Sequence, residues 1–254
     1  MKQKSSLKDR LVGSRYFSFG ITLSLFVLLY VVGMMNYRGF MKPQVFCNLL
    51  IDNAALIIAT IGITFVLLIG GIDISIGSVV ALTCMSSAQM LQNTGLPAPA
   101  VILIVLAMGA VFGLVQGWLI TEFNMQPFIV TLAGQFFARG MTAVISTQQV
   151  SITSSSLMTE LSMMKFNMPF EIGAYLNKKG KLMVPNVSIY VIIALLVLVA
   201  TFFILRYTRF GRSLYAVGGN QQSAALMGLD VRRTRFNAHI FCSVLTSIGA
   251  ICYV

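Results

Sequence analysis

The chain has 254 residues, of which 57% are hydrophobic and only 10% charged, and it carries a net charge of +11. A soluble domain holds roughly 25% charged residues, so this composition excludes an ordinary soluble fold and fits an all-α polytopic transmembrane protein. The 18 basic residues against 7 acidic ones do not point to nucleic acid. They collect at the N-terminus and between Arg206 and Arg235, which is what the positive-inside rule produces.

A crossing helix needs about 20 apolar residues. The first such run is Phe17 to Met35, preceded by Lys2, Lys4, Lys8, Arg10 and Arg15, which place the N-terminus in the cytosol. Its apolar core is too long for a signal peptide, and no small-residue cleavage site follows. Further spans are predicted from about Leu49 to Ile69, Ile74 to Leu91, Ala98 to Thr121, Pro127 to Ile145 and Val187 to Leu205. A seventh begins near Phe236 and is still apolar at Val254.

Between the second and third spans, Gly70-Gly71-Ile72-Asp73-Ile74-Ser75-Ile76-Gly77-Ser78 breaks the apolar run. A carboxylate beside hydrocarbon is tolerated where a cavity, a partner or a helix N-terminus receives it. Asp73 or Ser75 is placed to cap the next helix. The same segment also reads as part of a transport path built on broken helices. In the fourth span, Gly109, Gly113 and Gly117 fall on one stripe and let a neighbouring backbone approach closely. Trp118 is expected at the cytosolic interface.

The stretch from Ser146 to Asn186 is polar. Six crossings from a cytosolic N-terminus put it outside, although Lys165, Lys178, Lys179 and Lys181 outnumber Glu160 and Glu171 there. The next loop, Arg206 to Arg235, is bracketed by Arg206, Arg209, Arg212, Arg232, Arg233 and Arg235. Within it Gly218 and Gly219 read as a turn, Asn220 as the cap of a short helix, Ala224 and Ala225 as a smooth face, and Gly228 as the helix end. Such a helix suits docking to a partner, and an ordinary connecting loop is the other reading.

No enzyme chemistry is visible, and no catalytic residue is nominated. Cys47, Cys84, Cys242 and Cys252 lack metal-site spacing, His239 is the single histidine, and the acids are scattered. Without a GxxxxGK[ST] loop, any ATP must be hydrolysed by another subunit.

Three segments carry a family resemblance. GGIDISIGSVVALT, from Gly70 to Thr83, resembles the glycine-rich segment of the permease subunits of bacterial ABC sugar importers, the ribose, arabinose and galactofuranose group. Gln126 to Gly140 and Thr208 to Thr234 are similar to that family's next segments, in the same order, and Cys47 to Gly77 is most similar to a galactofuranose importer permease. The resemblance implies one transmembrane permease domain over residues 1–254, incomplete at the C-terminus, with about seven spans of a longer architecture. It implies a multi-pass subunit of the bacterial inner membrane that moves a monosaccharide, pentose or galactofuranose-like. The implied partners are an ABC ATPase subunit that uses ATP and Mg, a second permease chain (identical or sister) and a periplasmic sugar-binding protein, all in the lipid bilayer's company. Residues 206–235 become the cytosolic coupling loop, with Gly218, Gly219, Asn220, Ala224, Ala225 and Gly228 meeting the ATPase. Candidates for the sugar path are Asp73, Ser75, Ser78, Asn124, Gln126, Phe128 and Thr131, because hydroxyl-matching groups and aromatic faces bind sugars. Arg139, inside the fifth span, is expected to snorkel or to pair with an acid such as Asp73. Members of the family continue past the point matching Val254 with a second glycine-rich segment, so a truncated, non-transporting remnant is an alternative, as is a secondary sugar transporter.

Overall fold

The computed structural model describes residues 17–37, 39–152, 160–161, 163–167, 174–176 and 182–254. The N-terminal basic cluster, Glu171 and Lys178, Lys179 and Lys181 lie outside these residues. The helices are α1 (Phe17–Asn36), α2 (Pro43–Leu68), α3 (Ile76–Asn93), α4 (Ala98–Glu122), α5 (Pro127–Ile145), α6 (Ile189–Tyr207), α7 (Arg209–Gly219), α8 (Gln221–Leu226) and α9 (Val231–Ile251).

Five of them, α1, α2, α4, α5 and α6, are long and apolar enough to cross a membrane. The sequence reading counted α3 and α9 as spans too. Both are more polar, and both run inside the bundle. The α9 helix packs along α4, α2 and α3, and α3 packs along α5. Being surrounded, these two helices can turn Thr83, Ser86, Ser87, Thr234, Ser243, Thr246 and Ser247 toward protein rather than lipid. At the other extreme α1 has no buried residue and sits at the edge. Its Tyr30 ring meets Phe40 at 5.2 Å and Phe46 at 6.4 Å.

Two boundaries fall earlier than the apolar runs suggested. Pro43 opens α2, where a missing N–H costs nothing. Asp230 opens α9 by accepting a hydrogen bond from the Arg233 amide at 2.8 Å, so the charged turn before Phe236 is already helical. The polar stretch after α5 is not wholly irregular. The β1 strand (Lys165–Asn167) pairs antiparallel with β4 (Asn186–Ser188), and β2 (Tyr175–Leu176) with β3 (Leu182–Met183). Gln44 pins β4 to the start of α2, accepting from the Asn186 amide at 2.9 Å and donating to its carbonyl at 3.1 Å.

Successive helices alternate in direction, so the α2–α3 turn, the α4–α5 loop and the α7–α8 segment gather at one end of the bundle. There Phe65, Phe210 and Phe241 stack with ring centroids 5.2 to 6.1 Å apart, fastening α7 to α2 and α9. Leu214, Val217 and Ala224 are buried in the same cluster.

Candidate functional site

The loop between α6 and α9 holds two helices where the sequence suggested one. Thr208 caps α7, its hydroxyl oxygen accepting from the Gly211 amide at 3.1 Å. Gly218 and Gly219 are the last residues of α7 rather than a left-handed turn. Gly218 lies so close to the carbonyl oxygen of Leu68 that any Cβ there would collide with it, whereas Gly219 faces open space.

Asn220 caps α8, its side-chain oxygen accepting from the Ser223 amide at 2.8 Å. Gly228 ends α8 with φ +80°. Its amide bonds to the Ala225 carbonyl at 2.9 Å and the Leu229 amide to that of Ala224 at 3.1 Å, the paired pattern of a Schellman end. Ala224, expected on a smooth outer face, instead points inward and is fully buried. A helix of this length has one inner stripe, and the cluster around Leu214 takes it. What α8 presents outward is Ala225, Leu226, 90% exposed, and Met227, 69% exposed. Neither large residue was singled out in the sequence, although an uncharged Leu-Met pair between arginine-rich flanks was a readable signal.

Behind this end lies a buried polar junction. Asp73 is 3% exposed. Its Oδ1 accepts from the Ser75 amide at 2.9 Å and from the Ser75 hydroxyl at 2.6 Å. Its Oδ2 faces the Cys242 thiol at 3.6 Å. The expected cap is therefore absent. Ser75 holds the N-cap position of α3, but its side chain takes no helix amide, because its hydroxyl is committed to Asp73. Gln116 Nε2 donates to Ser75 Oγ at 3.1 Å. Gln116 and Cys242 were not nominated in the sequence as members of this junction. They come from α4 and α9, far away along the chain.

Of the sugar-path candidates, Thr131 is buried and its hydroxyl reaches the Ile72 carbonyl at 3.4 Å and that of Phe128 at 3.2 Å. Ser78 is buried in the first turn of α3. Asn124, with φ 49°, and Gln126 stay exposed in the α4–α5 loop, and Phe128 is exposed beside them. Asp73, Ser75 and Thr131 are thus brought to one turn, and Asn124 and Gln126 are not. Arg139 is exposed on α5. It lies eight residues, or about 12 Å along the helix axis, beyond Thr131, so the pairing with Asp73 is not made. The ion pair at this end joins Arg232 to Glu122, beside Trp118, whose ring packs edge-on to Phe123 at 5.1 Å.

The glycine stripe of α4 lies against α9. A side chain at Gly109 would strike Ser247, one at Gly113 would come within 2.9 Å of the His239 carbonyl, and one at Gly117 within 3.1 Å of Phe236. All four cysteines are free. No cluster able to hold a metal ion occurs among the described residues.

Apolar helices around a polar interior define a multi-pass membrane protein, with the capped helix α8 standing out at one end. The chain belongs to the family described as branched-chain amino acid transport system / permease component, whose model matches residues 45–254. It is 38% identical over 230 residues to a fructose import permease of Bifidobacterium longum, covering 90% of this chain and 65% of that one. It is 37% identical to an inner membrane ABC transporter permease of Escherichia coli, covering 92% and 66%. It is 34% identical to a ribose import permease of Bacillus subtilis, covering 91% and 67%. The chain thus spans about two thirds of the length of these relatives, and slightly less for the first two. No solved structure matches it.

Proposed function

We propose that this chain is the membrane-spanning part of an ATP-driven importer of a monosaccharide in a bacterial inner membrane, with its N-terminus in the cytosol. One observation carries the docking half of this reading: α8, capped at both ends and seated on α2, α7 and α9, points Leu226 and Met227 away from the rest of the molecule. Two exposed apolar side chains on a rigid, capped turn suit a pocket in a soluble partner, and the proposed partner is the ABC ATPase. Asn220 and Gly228 shape the helix, Gly218 seats it, and Ala225, Leu226 and Met227 make the contact. ATP and Mg are then used by that partner and not by this chain. A second permease chain and a periplasmic sugar-binding protein complete the assembly.

The substrate class rests on the relatives' names, which are those of fructose and ribose permeases. These two sugars and galactofuranose share an accessible five-membered ring. A pentose or galactofuranose-like sugar is therefore the proposed cargo. Competition tests it: unlabelled ribose, fructose and galactose should reduce uptake of the transported sugar, and a branched-chain amino acid should not. Competition by leucine alone would contradict the sugar assignment.

A further inference from the structure

The arginines where α6 meets α7 have no acid to pair with. No Asp or Glu occurs between Glu171 and Asp230. Among the described residues the ion pair is that of Arg232 with Glu122, and Arg206, Arg209 and Arg212 have none. Arg206 and Arg212 border one open cleft of about 390 Å³, together with Phe202, Leu205 and Tyr215. Thr208 sets the two walls at an angle: its extended backbone ends α6 and its hydroxyl caps α7. Arg212 leans back over α6, its Nη1 donating to the Tyr207 carbonyl at 3.4 Å. That uses one of the five N–H donors of a guanidinium.

The α6 wall continues into the membrane. Leu195, Leu198, Phe202 and Arg206 recur at helical spacing on one face, and all four are exposed. From Leu195 to Arg206 the helix rises about 16 Å, close to half of the ~30 Å hydrocarbon core. The stripe thus has the length of one leaflet and ends in guanidiniums. Tyr207, exposed beside Phe203 with ring centroids 5.6 Å apart, marks the interfacial level. The positive-inside rule accounts for arginines at this end. It does not account for their convergence on a cleft that an apolar stripe enters.

We propose that this cleft binds one anionic glycerophospholipid. Its phosphate lies against Arg206 and Arg212, the Tyr215 hydroxyl is a further donor, and an acyl chain follows Phe202, Leu198 and Leu195. Two guanidiniums without a carboxylate favour a headgroup of net negative charge over a zwitterionic one. An acidic surface of a soluble partner is the other anion in reach, but it could not use the stripe, which lies at membrane depth. The proposal needs α6 to cross the membrane and does not depend on the cargo.

Native mass spectrometry of the full chain, released from nanodiscs of equal phosphatidylglycerol and phosphatidylcholine, tests it. One phosphatidylglycerol should be retained over phosphatidylcholine by at least about tenfold, the effect of two arginines near an anionic headgroup. Arg206→Gln/Arg212→Gln should erase this preference. Arg232→Gln/Arg233→Gln, which removes the same charge at the same end, should keep it. Equal retention of the two lipids by the unsubstituted chain, equal loss in the two variants, or release of the lipid by inorganic phosphate would overturn the proposal. So would a preference that survives Arg206→Gln/Arg212→Gln, and a simultaneous loss of ATPase capture would then assign these arginines to that partner. The unsubstituted chain decides by itself should a variant fail to insert.

Discussion

The carbonyl oxygen of Leu68, at the end of α2, occupies the space that a side chain on Gly218 would need. Two residues 150 positions apart in the sequence, on α2 and α7, thus touch backbone to backbone at the base of the docking segment, and the contact is possible because residue 218 has no Cβ.

This contact separates two neighbouring glycines. Gly218→Val should lower stability by about 1–3 kcal/mol, the usual cost of overpacking, and tilt α7 off α2. Gly219→Ala faces open space and should leave the protein unchanged. Thermal unfolding in detergent checks both, and equal effects would contradict the reading.

Leu226→Asp puts a charge on the most exposed large side chain of α8. Insertion and thermal stability should stay as they are, since surface substitutions are usually within about 0.5 kcal/mol of neutral. Binding of the ATPase should drop by at least about tenfold, the effect of losing 1.4 kcal/mol at an interface hot spot. A pull-down with the purified ATPase reads this directly, and unchanged capture would remove α8 from the interface.

Asn220→Ala removes the oxygen that accepts from the Ser223 amide. The loss of a cap costs about 1 kcal/mol and here falls on a single short helix. The expected result is ATP hydrolysis uncoupled from uptake with membrane insertion intact. Normal uptake would show that the cap is dispensable.

Topology offers an independent check. Lys165, on β1, and Ser223, on α8, are both exposed and lie at opposite ends of the bundle. Cysteines placed there should react with an impermeant thiol reagent from opposite sides, Ser223→Cys from the cytosol. Labelling of both from one side would contradict the alternation of the helices.

Much of the architecture was legible because lipid-facing helices need long apolar runs, and α1, α4 and α5 coincide with theirs almost to the residue. The α9 helix was harder. Its start is held by Asp230, and its first five residues carry Arg232, Arg233 and Arg235, so hydropathy placed the start at Phe236 rather than Val231. The short strands were not legible, since two or three residues leave no alternating pattern. Around α8, the capping residues Asn220 and Gly228 could be read because caps are local chemistry. That Ala224 turns inward while Leu226 and Met227 turn outward depends on Leu214 and Phe65 from other helices, and no local pattern states it. Asp73 shows the same limit. A sequence offers the nearest helix N-terminus as its partner, whereas the fold supplies Cys242 from α9.

The most direct measurement is uptake of a labelled monosaccharide into sealed vesicles containing this chain, with the ATPase and the sugar-binding protein present. The account predicts accumulation that requires ATP and disappears with Leu226→Asp. Accumulation by the chain alone, driven by an ion gradient and indifferent to ATP, would contradict it.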